Sequence, residues 1–252
     1  METLDEKLIK ENITALTISE IVTKNYKSAA IFEKYGLDFC CHGKRSISEA
    51  CKEKGISTEE VLARLEEINE GNSDINREQY NHWELDFLAD YIVNVHHKYV
   101  RNMIPVIAAH AEKVSSKHGQ NHPELISIAN NFSVVYKDLK QHMMKEEQLL
   151  FPYIKYLVEV KTIAGKPEQP FFGTIKNPVR MMEAEHESAG SLLAEIGILT
   201  NNYTPPDDAC STLRVYFREL KEFEEDLHKH VHLENNILFP HSVELENKLF
   251  NQ

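Results

Sequence analysis

Apolar positions recur at helical spacing along most of the chain, and the breaks between them fall at Gly, Pro and Asn. Ile18-Ser19-Glu20-Ile21-Val22 opens the first such pattern, with Ser19 in an N-cap position. Ala29, Ala30, Ile31 and Phe32 carry it on, and Gly36 stops it. Leu37 to Lys44 reads as a turn. Ser46 to Lys54 reads as a helix closed by Gly55. Ser57-Thr58-Glu59-Glu60 then starts another, whose stripe is Val61, Leu62, Leu65 and Ile68. The polar run Gly71-Asn72-Ser73-Asp74 marks a boundary, which gives a small helical N-terminal domain over residues 1–72.

From about Arg77 the helical segments lengthen. The first carries Leu85, Leu88, Ile92, Val95 and Tyr99 on one face, should kink at Pro105, and ends near Gly119. The second follows Pro123 and runs to Pro152. Gly165, Pro167, Pro170 and Gly173 make residues 161–177 a loop. Asn177-Pro178 supplies a cap and a first-turn proline for the third helix, which fades near Asn201-Asn202. Pro205-Pro206-Asp207-Asp208 starts the fourth, which runs to Pro240. Four long helices with moderate loops predict an all-α chain with an antiparallel four-helix bundle over about 77–250.

Composition narrows the function. Lys+Arg number 28 against 40 Asp+Glu, a net charge of −12, which argues against binding nucleic acid or an anionic membrane. No apolar run approaches the roughly 18 residues of a spanning helix. The opening Met1-Glu2-Thr3-Leu4-Asp5-Glu6 is acidic where a secretory signal would be basic and then apolar, so a cytoplasmic protein is expected. Cys40, Cys41, Cys51 and Cys210 are too few and too clustered for a disulfide framework and read as thiols of a reducing compartment.

The 13 His carry the chemistry. His142 to Pro152 and His230 to Pro240 both read H-x-x-x-E-x-x-x-x-F-P, at an offset of 88 residues. His97 precedes His142 by 45 residues and His186 precedes His230 by 44, so the chain reads as two helix pairs. Residues i and i+4 share a helix face, so each motif can aim an imidazole and a carboxylate at one point in a bundle core. A carboxylate can bridge two cations about 3–4 Å apart. Glu146 and Glu234 with four His would suit two ions with an oxygen bridge, and such N/O ligation suits iron better than Ca or Mg. His118 lies 21 residues beyond His97, about 31 Å along a helix, and is left out. Register alone does not separate His96 from His97. His186, in Glu185-His186-Glu187, is the weakest member. His110, His122, His228, His232 and His241 have no repeat partner.

At these residues the chain resembles the RIC, or repair of iron centres, family of hemerythrin-like di-iron proteins. The resemblance rests on the Asp38-Phe39-Cys40-Cys41 turn with its following Gly-Lys, the His142-Met143-Met144-Lys145-Glu146-Glu147 block, Glu185-His186-Glu187, and Leu233 to Pro240. It favours His97 as the first ligand. It implies a hemerythrin-like bundle and a non-haem di-iron centre at His97, His142, Glu146, His186, His230 and Glu234. It also implies a cytoplasmic protein of nitric oxide or oxidative stress that restores damaged iron–sulfur clusters. Iron donation and nitric oxide reduction are the mechanisms it suggests, and any enzyme activity would be that of a nitric oxide reductase-like oxidoreductase. Nitric oxide or oxygen would be the small ligand and damaged iron–sulfur proteins the clients, and a homodimer is compatible with it. His42 departs from the family's Cys-Cys-Gly-Gly turn.

Cys40 and Cys41 are candidate repair thiols, able to take iron, sulfur or a nitrosyl group or to carry electrons. Lys44 and Arg45 beside them favour thiolate, while the alternative is small residues packing a helix end. Cys51 and Cys210 read as buried and inert. Two rival functions remain: an oxygen or nitric oxide carrier or sensor of hemerythrin type, which has no need of thiols, and a structural module holding zinc or no metal.

Overall fold

Thr17 sets the entry to the first helix. Its hydroxyl accepts from the Glu20 amide at 3.2 Å while the Glu20 carboxylate accepts from the Thr17 amide at 2.8 Å, a reciprocal box that caps α1 (Ile18–Lys24). The expected cap at Ser19 is therefore wrong by two residues. Ser19 has Val22 three positions on, with no acceptor to complete a box, and it is buried inside the helix. The chain is described over residues 16–70 and 80–251 in a computed structural model. The expected boundary at Gly71–Asp74 lies outside the described residues.

α2 (Ala29–Lys34) follows a short 3-10 turn, and α3 (Ile47–Lys54) is boxed by Ser46 and Glu49 and closed by left-handed Gly55. In α4 (Thr58–Glu70) the Glu60 amide reaches the Ser57 hydroxyl at 3.3 Å. Ile18, Val22, Phe32, Phe39, Ile47, Val61 and Leu65 are buried among these short helices. Leu37 to Lys44 forms the expected turn. Gly43 is required there: a Cβ would lie 2.3 Å from the Phe39 carbonyl oxygen, and the Gly43 carbonyl already accepts from Ser19 N at 2.9 Å. Residue 42 is not among the positions with positive φ, so His42 fits without backbone strain.

Four long helices make the rest. α5 spans residues 85–118, α6 residues 124–162, α7 Lys176–Leu199, and α8 residues 211–250. α6 packs on both α5 and α7, and its last turns meet the start of α5, so those two run antiparallel. Three of the four are interrupted by a single π turn, at Val93–His97, Glu146–Leu150 and Glu234–Leu238. The described residues group into two units. One is the chain up to Trp83 together with Val231–Ile237; the other is Glu84–His230 with Leu238 onward.

The π turns account for two of the boundary differences. α6 was expected to end at Pro152 but runs to Thr162, and α8 passes Pro240 to reach Phe250. A proline lacks an N–H and its ring crowds the carbonyl four residues back. Each of these prolines follows a π turn, where the ladder is already opened by one residue. The extra residue at Val93–His97 also shifts the face of α5. Val95 is 40% exposed instead of joining the stripe, and His96 and His97 are buried in its place. The helix Lys98–His118 runs through Pro105 unbroken. α7 begins one residue before the expected cap, and the Asn177 side-chain Nδ2 donates back to the Phe172 carbonyl at 2.8 Å. α8 begins at Ser211, later than the Pro205–Asp208 start. Between them Asn201, Asn202 and Tyr203 are all left-handed, which ends α7.

Candidate metal centre

Each of the three π turns begins or ends at a predicted ligand: His97 closes one, and Glu146 and Glu234 open the others. Single π turns inside α-helices recur at functional sites because they re-aim side chains. Here they contribute to two donor groups. His97, Glu146, His230 and Glu234 form one; His142, Glu146, His186 and Glu234 form the other; within each, one ligand atom per residue lies within 4.8 Å of all the rest. All six predicted residues are thus brought together, every one buried, and both carboxylates belong to both groups.

The distances suit cations. Glu146 Oε2 lies 3.3 Å from His97 Nε2 and its Oε1 lies 3.2 Å from His142 Nε2, so its two oxygens face different groups. His142 Nε2 and His186 Nε2 are 2.9 Å apart. Two imidazoles at right angles on one ion, with bonds of about 2.1 Å, would be about 3.0 Å apart. The donor set of four imidazoles and two carboxylates therefore fits a pair of divalent ions.

The imidazoles are oriented from behind. His97 Nδ1–H donates to Glu147 at 2.6 Å and His142 Nδ1–H to Glu185 at 2.9 Å, which leaves each Nε2 lone pair turned toward the cluster. Arg101 holds the Glu147 carboxylate and Lys145 that of Glu185. Hydrogen bonding from His142 draws the Glu185 carboxyl down to about 2. Burial opposes ionisation of Glu147, but His97 and Arg101 outweigh it and hold its carboxyl below the usual range. Sequence reasoning assigned neither glutamate a role. The available signal was that each adjoins a ligand in a doubled acid-bearing motif, Glu146-Glu147 and Glu185-His186.

His96 and His97 stand in different surroundings. His96 Nδ1 bonds Asp226 at 3.0 Å and its ring stacks on His230, whereas His97 enters the donor group. Other histidines have separate tasks: His110 pairs with Glu219, His122 with Glu124 and Asp208, and His118 with the Cys210 thiol at 3.2 Å.

The four cysteines are free. Cys40 is buried and Cys41 half-buried, with sulfurs 3.7 Å apart. The expected thiolate is not favoured at Cys40. Its hydrogen bond with Cys41, then burial and the Asp38 charge, push the thiol well up, while the Arg45 guanidinium is engaged by Glu53. Cys51 is fully buried, as expected. Cys210 is not: it is half-buried at the start of α8, where the Leu213 and Thr212 amides draw its thiol down.

The four-helix bundle and its paired His/Glu groups define a hemerythrin-type cation-binding protein. The hemerythrin HHE cation binding domain family matches residues 88–242, and the ScdA_N domain of unknown function matches residues 14–69. The chain is 34% identical over 223 residues to a probable iron-sulfur cluster repair protein of Haemophilus influenzae, covering 88% of this chain and 94% of that protein. It is 34% identical over 230 residues to the iron-sulfur cluster repair protein YtfE of Musicola paradisiaca, and 31% over 226 residues to that of Escherichia coli O8, in both cases covering 90% of this chain and 96% of the relative. The chain belongs to the hemerythrin-like iron–sulfur cluster repair family that its motifs resemble. No helix among the described residues is long and apolar enough to cross a membrane.

Proposed function

We propose that this chain repairs iron–sulfur clusters damaged by nitric oxide or oxidative stress, in the cytoplasm, as a non-haem di-iron protein. Its ligands are His97, His142, Glu146, His186, His230 and Glu234, and Cys40 and Cys41 are its repair thiols. The observation that carries the reading is the sharing of Glu146 and Glu234 between the two donor groups. His97 and His230 would hold one ion and His142 and His186 the other, with Glu146 and Glu234 offering carboxylate oxygens to both. N/O donors of this kind suit iron. Two carboxylates, against four in ferritin-like centres, leave the ferrous state better matched. Iron held there would supply a redox-active ion for a diatomic ligand. Glu147 and Glu185 hold the His97 and His142 rings toward the donor groups, and the burial of all six donors keeps bulk water out.

The thiol turn favours repair over a carrier or sensor, because reversible gas binding needs no thiol. Damaged iron–sulfur proteins are the clients, and nothing in the site requires a second copy of the chain. Metal analysis with a cluster-repair assay tests the reading. About two iron per chain, lost strongly in Glu146→Ala and in Glu234→Ala, is the expected result. Zinc, no metal, or full iron retention in both variants overturns it.

A further inference from the structure

The dinuclear ligands leave unused a second cluster of metal-binding side chains, in the turn between α2 and α3. Asp38, Cys40 and Cys41 each offer a ligand atom, all within 4.8 Å of one another. The sulfurs are 3.7 Å apart, far beyond the roughly 2.05 Å of a disulfide. Two thiolates at about 2.3 Å from one tetrahedral ion would be about 3.8 Å apart. Cys40 Sγ is 3.3 Å from Asp38 Oδ1, where a carboxylate oxygen on the same ion would be about 3.5–3.7 Å away. Two of the three donor separations thus already stand close to the edge lengths of a tetrahedral face, and the third is within 4.8 Å.

The turn is held in that shape from several directions. Asp38 Oδ1 accepts from the Cys40 and Cys41 amides, each at 2.9 Å, and His42 Nδ1 bonds Oδ2 at 2.7 Å. Asn235 and Asn236 donate to the Cys40 and Phe39 carbonyls at 3.3 and 3.1 Å. Those two asparagines directly follow Glu234, so the segment of α8 that supplies a shared carboxylate also anchors the thiol turn. Cys40 lies inside and Cys41 reaches the surface, a route for an ion to enter and leave.

We propose that Asp38, Cys40 and Cys41 form a mononuclear thiolate–carboxylate site for a divalent cation, Fe(II) during repair, separate from the dinuclear centre. The proposal deepens the repair reading and rests on it for the identity of the cation. Loading breaks two S–H bonds and forms two sulfur–cation bonds; two protons pass to solvent and no electron moves. Three protein donors leave a tetrahedral ion one position for water or for a client's sulfur. That is the coordination of a transfer site, since a closed four-ligand shell would retain the ion.

Anaerobic titration of the full, iron-loaded chain with Co(II) tests this. Co(II) entering the dinuclear centre meets no sulfur, and a thiolate-to-Co(II) charge-transfer band that persists in Cys210→Ser cannot come from the thiol beside His118, so it reports the turn. One equivalent bound with that band and with intense tetrahedral Co(II) absorption is the expected result. Cys41→Ser should lower the Co(II) affinity by about tenfold or more and at least halve the band. Asp38→Asn keeps an oxygen for both amides, so the turn survives, and it too should weaken binding by about tenfold or more. Absence of the band in the unaltered chain overturns the site, and undiminished binding in Asp38→Asn overturns the carboxylate's part in it. A repair assay separates the two readings. Normal repair without the band sinks this site alone, whereas the band without any repair sinks the repair reading and leaves the site standing.

Discussion

Glu147 and Glu185 should make the two halves of the proposed centre separable. Each carboxylate orients one imidazole: Glu185 serves His142, in the group with His186, and Glu147 serves His97, in the group with His230. Replacing Glu185 by Gln removes the charge that polarises the His142 ring and frees Lys145, but touches nothing in the other group. Loss of such an outer carboxylate typically lowers metal affinity about 10–100-fold. At saturating metal that is about 1.4–2.7 kcal/mol of holoprotein stability, or about 3–11 °C in Tm for a chain of this size. The assay is iron retained per chain against rising chelator, with Tm measured on the same samples. Glu185→Gln should release one iron early and keep the second, because Glu146 and Glu234 still complete the His97 group. Glu147→Gln should show the mirror pattern, with the ligand environments exchanged in the remaining ion's spectrum. Loss of both ions together in either variant, or of neither, would refute the assignment of one carboxylate to each half.

The remaining predictions concern nitric oxide binding, the thiols and a half-buried histidine. The diferrous protein should bind nitric oxide with a clear spectral change, and a spectrum that ignores nitric oxide removes both the repair and the sensor readings. A Cys40→Ser/Cys41→Ser double variant should keep its dinuclear iron and helical content while losing repair; repair at the normal rate would make the thiols packing residues. Hydrogen bonds to Asp208, then Glu124, raise His122 above the usual value of about 6.5. The tie it makes between the α5–α6 and α7–α8 connections is then complete below that usual value and fades as pH rises through the raised one. NMR titration should find the His122 pKa raised in the unaltered chain and lower in Asp208→Asn; equal values in the two proteins would show that the ion pair does not form.

The fold class was legible because helices write their faces every three or four residues. The centre was legible because the H-x-x-x-E block occurs twice. What sequence could not supply was anything that depends on a neighbouring helix. Glu147 and Glu185 look like solvated charges until α5 and α6 are set beside them. His96 and His97 are adjacent on one helix, and only the approach of Asp226 and of the donor group tells them apart. Lys44 and Arg45 suggested thiolates by proximity in sequence. In space Arg45 is taken by Glu53, and Cys40 faces Asp38 and Cys41 instead. Cys210 read as a buried thiol because nothing local marks it as the residue preceding α8.

From sequence the two Phe-Pro tails mark helix ends, yet both helices continue through them. Proline ends a regular α-helix because the ladder cannot accommodate its ring or its missing donor. Phe151-Pro152 and Phe239-Pro240 instead stand immediately after Glu146–Leu150 and Glu234–Leu238, where each helix takes its wide turn. The repeated motif therefore specifies more than two donor side chains. Its His lies in the last α-helical turn, its Glu opens the wide turn that the next four residues complete, and its Phe-Pro restarts the helix at a point where proline is tolerated. The Phe is also used: Phe151 stacks on His97 at 5.8 Å and Phe239 on His186 at 6.2 Å, each an imidazole supplied by a different helix. A motif that repeats ligands, turn and ring support together is the sequence of a half-site, and two such halves, facing each other across a bundle, account for why both carboxylates serve both groups.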